Sequence, residues 1–411
     1  MRSLTLAFCF TACSIANLAD ADAPAWPNWM GPHHDGISTE ANWSTDWPDD
    51  GLKVDWQKEV GIGFSSVAIA DNQLFTLGHA EGMETVFCFH ALTGEEIWSH
   101  SYPSKLVANL YEGGPGSTPT IDGEHVLTVG KEGQLFCFRR SDGQVVWQRQ
   151  LKDDLDVRLP EWGFNSSPFI LGDQLILEAG RVVSYAKTTG DILWKSSKHP
   201  AGYGSAALFP SGDAPMIVTL DCDAVRVLQA DDGSEVDSFP WPSPFRTNST
   251  TPIVHEDSIF VSTGYQVGCG LFRLVDRKLE LIYDNREMRN HFNNSILHQG
   301  HLYGFDGNSN LGRVVSLVCM NHETGEVAWR HRGLGCGSLM IAGDRLVLLS
   351  EDGQLVIATA TPDDFRELAR AKILEGRCWT IPVLLNGHVY ARNAQGNLVS
   401  VSLPPAKPIA K

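Results

Sequence analysis

Thr93-Gly94-Glu95-Glu96-Ile97-Trp98, Asp142-Gly143-Gln144-Val145-Val146-Trp147, Thr189-Gly190-Asp191-Ile192-Leu193-Trp194 and Thr324-Gly325-Glu326-Val327-Ala328-Trp329 are four versions of one phrase. Each has glycine four residues before tryptophan. Ten before the tryptophan stands Cys88, Cys137, Ser184 or Cys319, always in an apolar alternating run. The Thr/Asp-Gly pair reads as a tight turn, because glycine tolerates the positive φ such turns require. Period-two alternation on both sides reads as strands. The phrase is therefore a hairpin whose second strand ends in the tryptophan.

Decayed copies fill the gaps. Asp232-Gly233-Ser234-Glu235-Val236 keeps the turn and loses the tryptophan, while Arg277–Leu281 and Asp364–Leu368 keep only a short turn and a strand. From Gly94 to Gly233 the glycine recurs every 43 to 49 residues. Each unit opens on a small or polar cluster, such as Gly116-Ser117-Thr118-Pro119, Asn165-Ser166-Ser167-Pro168 or Asn293-Asn294-Ser295. Two short strands follow, then the hairpin. Four strands per unit of this length make a propeller blade. Fourth strands at Trp56, Trp98, Trp147, Trp194, Val236, Leu281, Trp329 and about Leu368 number eight. The one around Trp56 lacks three preceding strands, and 381–403 supplies three strands without a fourth. The expected fold is all-β: an eight-bladed propeller over 51–404, closed by pairing its N-terminal and C-terminal strands, which removes exposed edges. A tail, 405–411, follows.

The 411 residues carry 32 Lys+Arg against 49 Asp+Glu, a net charge of −17. That balance excludes nucleic acid as a partner and a polybasic membrane-surface role. Thirty-nine glycines and 12 tryptophans fit many tight turns and a recurring aromatic position. Met1-Arg2-Ser3, an apolar run from Leu4 and Ala19-Asp20-Ala21 read as a signal peptide over 1–21, with a lead-in segment at 22–50. Lipoprotein processing at Cys13 is the other route open. Nothing later is apolar for long enough to cross a membrane, so a monomer, exported to the periplasm or secreted, is expected. Seven cysteines remain in the mature chain. None forms a C-x-x-C pair, and their pairing stays open.

The units resemble the pyrroloquinoline-quinone-type (PQQ-like) propeller repeat, whose ending is A-x-[ST]-G-x-x-x-W. Ala91-Leu92-Thr93-Gly94 through Trp98 matches it in full. Trp26-Pro27-Asn28-Trp29-Met30-Gly31-Pro32, Met288-Arg289-Asn290-His291-Phe292 and Gly333-Leu334-Gly335-Cys336-Gly337-Ser338 are similar to an exported bacterial subfamily of this fold. That subfamily is related to outer-membrane assembly (BamB-type) and polyvinyl-alcohol-dehydrogenase-like proteins. A quinoprotein dehydrogenase of this resemblance would be expected to show an adjacent Cys-Cys disulfide, calcium-binding acids and an Asp base. This sequence has no Cys-Cys pair and no Asp assignable as the base. No cofactor is therefore expected, neither PQQ nor calcium, and no metal site.

Function on a propeller sits where loops converge around the axis on one face. The loops feeding the first strands and the turns between second and third strands share that face. Together they offer a candidate ligand set: Glu112, Trp162, Arg246, Tyr265, Asn290, His291 and Trp379. The competing reading is that such residues close the funnel and satisfy strand ends. His33-His34-Asp35, flanked by Pro32 and Gly36, reads as a solvated turn. No nucleophile elbow or phosphate loop is present. Two functions remain: a non-catalytic binding or scaffold module for a protein or polymer partner in the cell envelope, and a PQQ-dependent alcohol or sugar oxidoreductase.

Overall fold

The computed structural model describes residues 24–49, 51–109, 111–212, 214–308 and 315–407. The signal-peptide and Cys13 readings lie outside them. Eight sheets follow one another around an axis, each of four antiparallel strands, one of them extended by a short parallel fifth strand, Ile37–Ser38. The first blade comprises Ala68–Ala70, Gln73–Ala80, Met83–His90 and Glu96–Pro103. Blades two to seven repeat this order from Thr120, Phe169, Ala207, Ile253, Ile296 and Ser338. The eighth takes Val383–Leu385, His388–Arg392 and Asn397–Ser402 from the C-terminal end, and Val54–Glu59 as its outer strand. Trp56 stands opposite Ser400, so the ring closes as the sequence predicts.

The burial pattern follows from this stacking. Met216–Leu220, a second strand, is buried throughout because neighbouring blades cover both its faces. Outer strands alternate: in Glu96–Pro103 only Trp98 and Tyr102 are buried. Among the described residues the α-helix is one short turn, Leu151–Leu155. None of the helices is long and apolar enough to cross a membrane.

The glycine–tryptophan phrase is a docking device between blades. Trp98 Nε1 donates to Arg140 O (2.8 Å), Trp147 to Lys187 O (3.0 Å) and Trp56 to Ala91 O (2.8 Å), each on the next blade. A Cβ added to the next blade's turn glycine would strike the ring: 2.8 Å at Gly94 from Trp56, 2.6 Å at Gly143 from Trp98 and 2.7 Å at Gly190 from Trp147. These glycines also have φ of 69–71°. Glycine is required twice over, for the turn and for the ring lying on it. The cysteine position pairs across the hairpin with the tryptophan, as Cys88 does with Trp98 and Cys137 with Trp147. All seven described cysteines are buried.

The decayed blades keep the register of the tryptophan position. A bulge separates it from the turn, so Val227 faces Asp237, Leu271 faces Tyr283 and Ile357 faces Ala369. These, rather than Val236, Leu281 and Leu368, are the equivalents. Tyr283 keeps the function, its hydroxyl donating to His322 O at 2.8 Å. Asp237 inverts it, accepting from Leu279 N–H and Lys278 Nζ, both at 2.8 Å.

The small polar clusters form a hydrogen-bonded belt around the axis. Backbone N–H groups of Thr118, Ser167, Ser205 and Thr251 donate in turn to Ser167 Oγ, Ser205 Oγ, Thr251 Oγ1 and Asn294 Oδ1 (2.9–3.0 Å). Asn293 continues to Gly337 O, Ser338 Oγ to Thr380 O, Ser66 Oγ to Ile381 O, and Ser65 N–H to Pro115 O. Every blade is thereby tied to the next.

The lead-in crosses the lower end of the axis, opposite the feeding loops. Trp26 bridges to Ile69, Ile121 N–H donates to Pro27 O, Trp29 Nε1 donates to Thr251 Oγ1 and Ile37 pairs with Ile341. Glu40 accepts from the Asn386 and Gly387 N–H groups. His33-His34-Asp35 lies in a turn with His33 and Asp35 exposed, but the His34 ring tucks inward, 4.9 Å from that of Phe169, and burial lowers its pKa.

Candidate functional site: the axial pocket

Within the belt and above the lead-in lies a cavity of about 210 Å³ lined from all eight blades. Its floor includes Trp29 and Met30. Its walls are chiefly aromatic. Trp379 stacks on Phe64 at 5.5 Å and contacts Phe292 at 4.3 Å; Phe64 contacts Tyr111 at 5.5 Å, and Trp162 meets Tyr203 edge-on at 5.7 Å. Tyr265 and His291 extend the series at 5.0 Å. The rings come from different feeding loops and turns, which the blade packing brings together.

Four of the seven candidate residues line this cavity: Trp162, Tyr265, His291 and Trp379. Trp379 is fixed by Nε1 donating to Glu351 Oε1 (2.9 Å) and by the Arg377 guanidinium 4.5 Å from its ring. Trp162 Nε1 donates to Asn109 O at 3.2 Å. His291 Nε2 lies 3.1 Å from the Tyr265 hydroxyl, while its Nδ1 is buried with no partner among the described residues. Burial lowers the His291 pKa to about 4, so the ring is neutral at ordinary pH.

The other three do not line the cavity. Glu112 lies behind Trp379, accepting from Arg377 Nη1 at 2.8 Å. Asn290 is 1% exposed and serves as an internal strut, Nδ2 donating to Phe305 O (3.0 Å) and Oδ1 accepting from Ser295 Oγ (2.8 Å). Arg246 is exposed on the upper face beside Phe245. Phe245 itself is 70% exposed, with φ of 63° and its ring 5.3 Å from Tyr265.

Sequence reasoning missed Lys131, in the turn between the second and third strands of the second blade. It lines the cavity yet is only 1% exposed. Its Nζ donates to Asn165 Oδ1 at 2.8 Å and stands 5.4 Å from the Tyr111 ring centroid. Burial lowers its pKa to about 7, opposed by the Glu84 carboxylate. No local signal marked it, because Gly130 and Gly133 beside it read as an ordinary solvated turn.

The family model described as outer membrane protein assembly factor BamB matches residues 82–315, more than half of the chain. The chain belongs to this family. No curated protein matches the sequence. Among solved structures, BamB from Moraxella catarrhalis is similar at 15% identity and TM-score 0.60, covering 86% of this chain and 100% of its own. The quinohemoprotein alcohol dehydrogenase from Comamonas testosteroni aligns at 10% identity and TM-score 0.68, covering 94% and 82%. A europium-containing methanol dehydrogenase aligns at 10% and 0.66, covering 92% and 98%. At such identities the likeness is one of fold, which hosts both assembly factors and dehydrogenases.

The residues present do not fit a calcium–PQQ pair. Calcium takes six to eight oxygen ligands with carboxylates among them, and none of the residues lining the cavity is Asp or Glu. The cation there is Lys131, which would repel a metal ion.

Proposed function

We propose that the protein is an exported binding module of the cell envelope, which engages a protein or polymer partner through its upper face and performs no chemistry on it. A group of that partner enters the axial pocket. The carrying observation is the polarity of the ring. Its lower end is crossed by the lead-in, whereas above lies an aromatic pocket flanked by the exposed Phe245. An exposed aromatic in a left-handed backbone conformation costs both solvation and strain, which a contact surface would explain. Aromatic side chains around a central pocket are typical anchors at interfaces. Membership in a family described as an outer membrane protein assembly factor supports an envelope role.

Affinity capture from envelope extracts tests the reading with wild type, Phe245→Ser and Trp379→Ala. Wild type is expected to retain a defined partner and both variants to lose it. Failure of wild type to retain anything, or retention unchanged in both variants, overturns it. Stoichiometric PQQ and calcium binding with dye-linked alcohol oxidation would instead establish the oxidoreductase.

A further inference from the structure

The pocket buries one amine and keeps acids away from it. Lys131 Nζ has three donors, and Asn165 Oδ1 takes one. Among the described residues no carboxylate is paired with Nζ. Glu84, the nearest acid by its influence, accepts from the backbone N–H of Lys131 (3.1 and 3.0 Å) and from the Tyr102 hydroxyl (3.0 Å). A chain of net charge −17 has carboxylates in plenty, yet none lines this cavity. A buried charge without a counter-charge is costly.

The remaining polarity of the lining is already committed. Ser167, Ser205, Thr251 and Asn294 belong to the belt that joins the blades. Beside the rings, Lys131 is left to meet a ligand.

We propose that the axial pocket holds a flat apolar group bearing a single carboxylate, paired with Lys131, its body set among Phe64, Trp162, Tyr203 and Trp379. This rests on reading the pocket as the binding element. One buried cation matches one negative charge, and a second carboxylate on the same ligand would be buried unpaired. The aromatic walls take the body of the group by stacking and edge contacts.

The full-length protein is titrated with phenylacetate and with phenylacetamide, its uncharged analogue, following quenching of tryptophan fluorescence. Phenylacetate is expected to bind saturably, and phenylacetamide about tenfold more weakly or worse. Lys131→Met is expected to abolish that preference and Lys131→Arg to keep it. Thermal unfolding of each variant checks that the fold is retained. Equal binding of acid and amide, no binding of either, or an undiminished preference in Lys131→Met each overturns the proposal. If these probes fail while partner capture still depends on Trp379, the carboxylate assignment falls and the binding reading stands. If capture fails as well, both fall.

Discussion

Replacing Gly143 by alanine separates the two demands that the repeat places on its glycine. Gly143 and Gly123 lie in turns of the same blade with φ of 71° and 56°. Alanine at either adopts a left-handed conformation, costing roughly 1–2 kcal/mol. Their surroundings differ: a new Cβ at Gly123 meets nothing within 4 Å, whereas at Gly143 it lies 2.6 Å from the Trp98 ring. The ring must shift, adding about 1–3 kcal/mol of overpacking and about 1 kcal/mol for the strained Nε1 bond to Arg140 O. Gly143→Ala should therefore cost roughly 3–6 kcal/mol and Gly123→Ala roughly 1–2 kcal/mol. Urea denaturation of both variants measures this through the transition midpoint. In a Trp98→Leu background the Gly143→Ala cost should fall to that of Gly123→Ala, because the contact is gone. Equal losses at the two glycines, or a Gly143→Ala cost unchanged without Trp98, would refute the docking account.

Lys131→Met should stabilise the protein at pH 7. The drop in pKa from 10.5 to about 7 corresponds to at most about 5 kcal/mol of charge burial. Because the unfolded chain holds this proton more tightly, the penalty fades as pH rises from about 7 towards 10.5; a wild-type minus variant stability difference that is flat over that range contradicts the assignment. His199 Nε2 and Glu178 Oε2, both buried, lie 2.7 Å apart. Burial would lower the His199 pKa, but the Glu178 carboxylate outweighs it and the value is raised; burial would raise Glu178, but His199 and two backbone N–H groups lower it. The histidine's contribution is fully present below 6.5 and lost as pH rises through its raised folded value, while the glutamate's is present above 4.5 and lost as pH falls. His199→Gln should thus cost about 3 kcal/mol at pH 6 and less at pH 9, by denaturation at both. Arg392, fully buried, donates to Leu77 O (2.6 Å), Gly61 O (2.9 Å) and Ser65 O (3.2 Å) across the seam where the ring closes. Arg392→Met should cost roughly 3 kcal/mol or more, with faster amide exchange in Asn397–Ser402 than in the other third strands.

The scaffold was legible because its elements recur. Turn glycine, tryptophan and the small cross-strand residue each perform the same contact in several blades, so coincidence of type and spacing exposes them. The readings at Val236, Leu281 and Leu368 slipped because a bulge lies between turn and ring, and a slip of one residue turns a strand over. Counting four from Gly233 leads to Asp237, but the turns at 276–277 and 362–366 contain no glycine to count from. Lys131 was illegible for a different reason. A lysine between glycines in a turn looks solvated, and it is buried by another blade: Phe164 N–H donates to Lys131 O at 2.9 Å, and a Cβ on Gly163 would lie 2.7 Å from the lysine stem. No pattern local to residue 131 carries that information.

The same distinction separates structural from functional polarity at the axis. Residues at repeated positions answer a need that every blade has, namely satisfying innermost backbone groups, and the belt absorbs them. A ligand is met by what is not repeated. Of the three tryptophans outside the repeat and the lead-in, Trp241 is spent inside a blade, its Nε1 donating to Thr263 Oγ1 and its ring lying on Gly270. Trp162 and Trp379 instead face the cavity. Lys131 belongs with them: the corresponding turn of the fifth blade presents Tyr265 to the same cavity, and that of the fourth places Asp221 against Arg226 at 2.5 Å. An unrepeated cation among unrepeated rings breaks the symmetry of the ring, and a single asymmetric ligand needs that break in order to bind in one orientation.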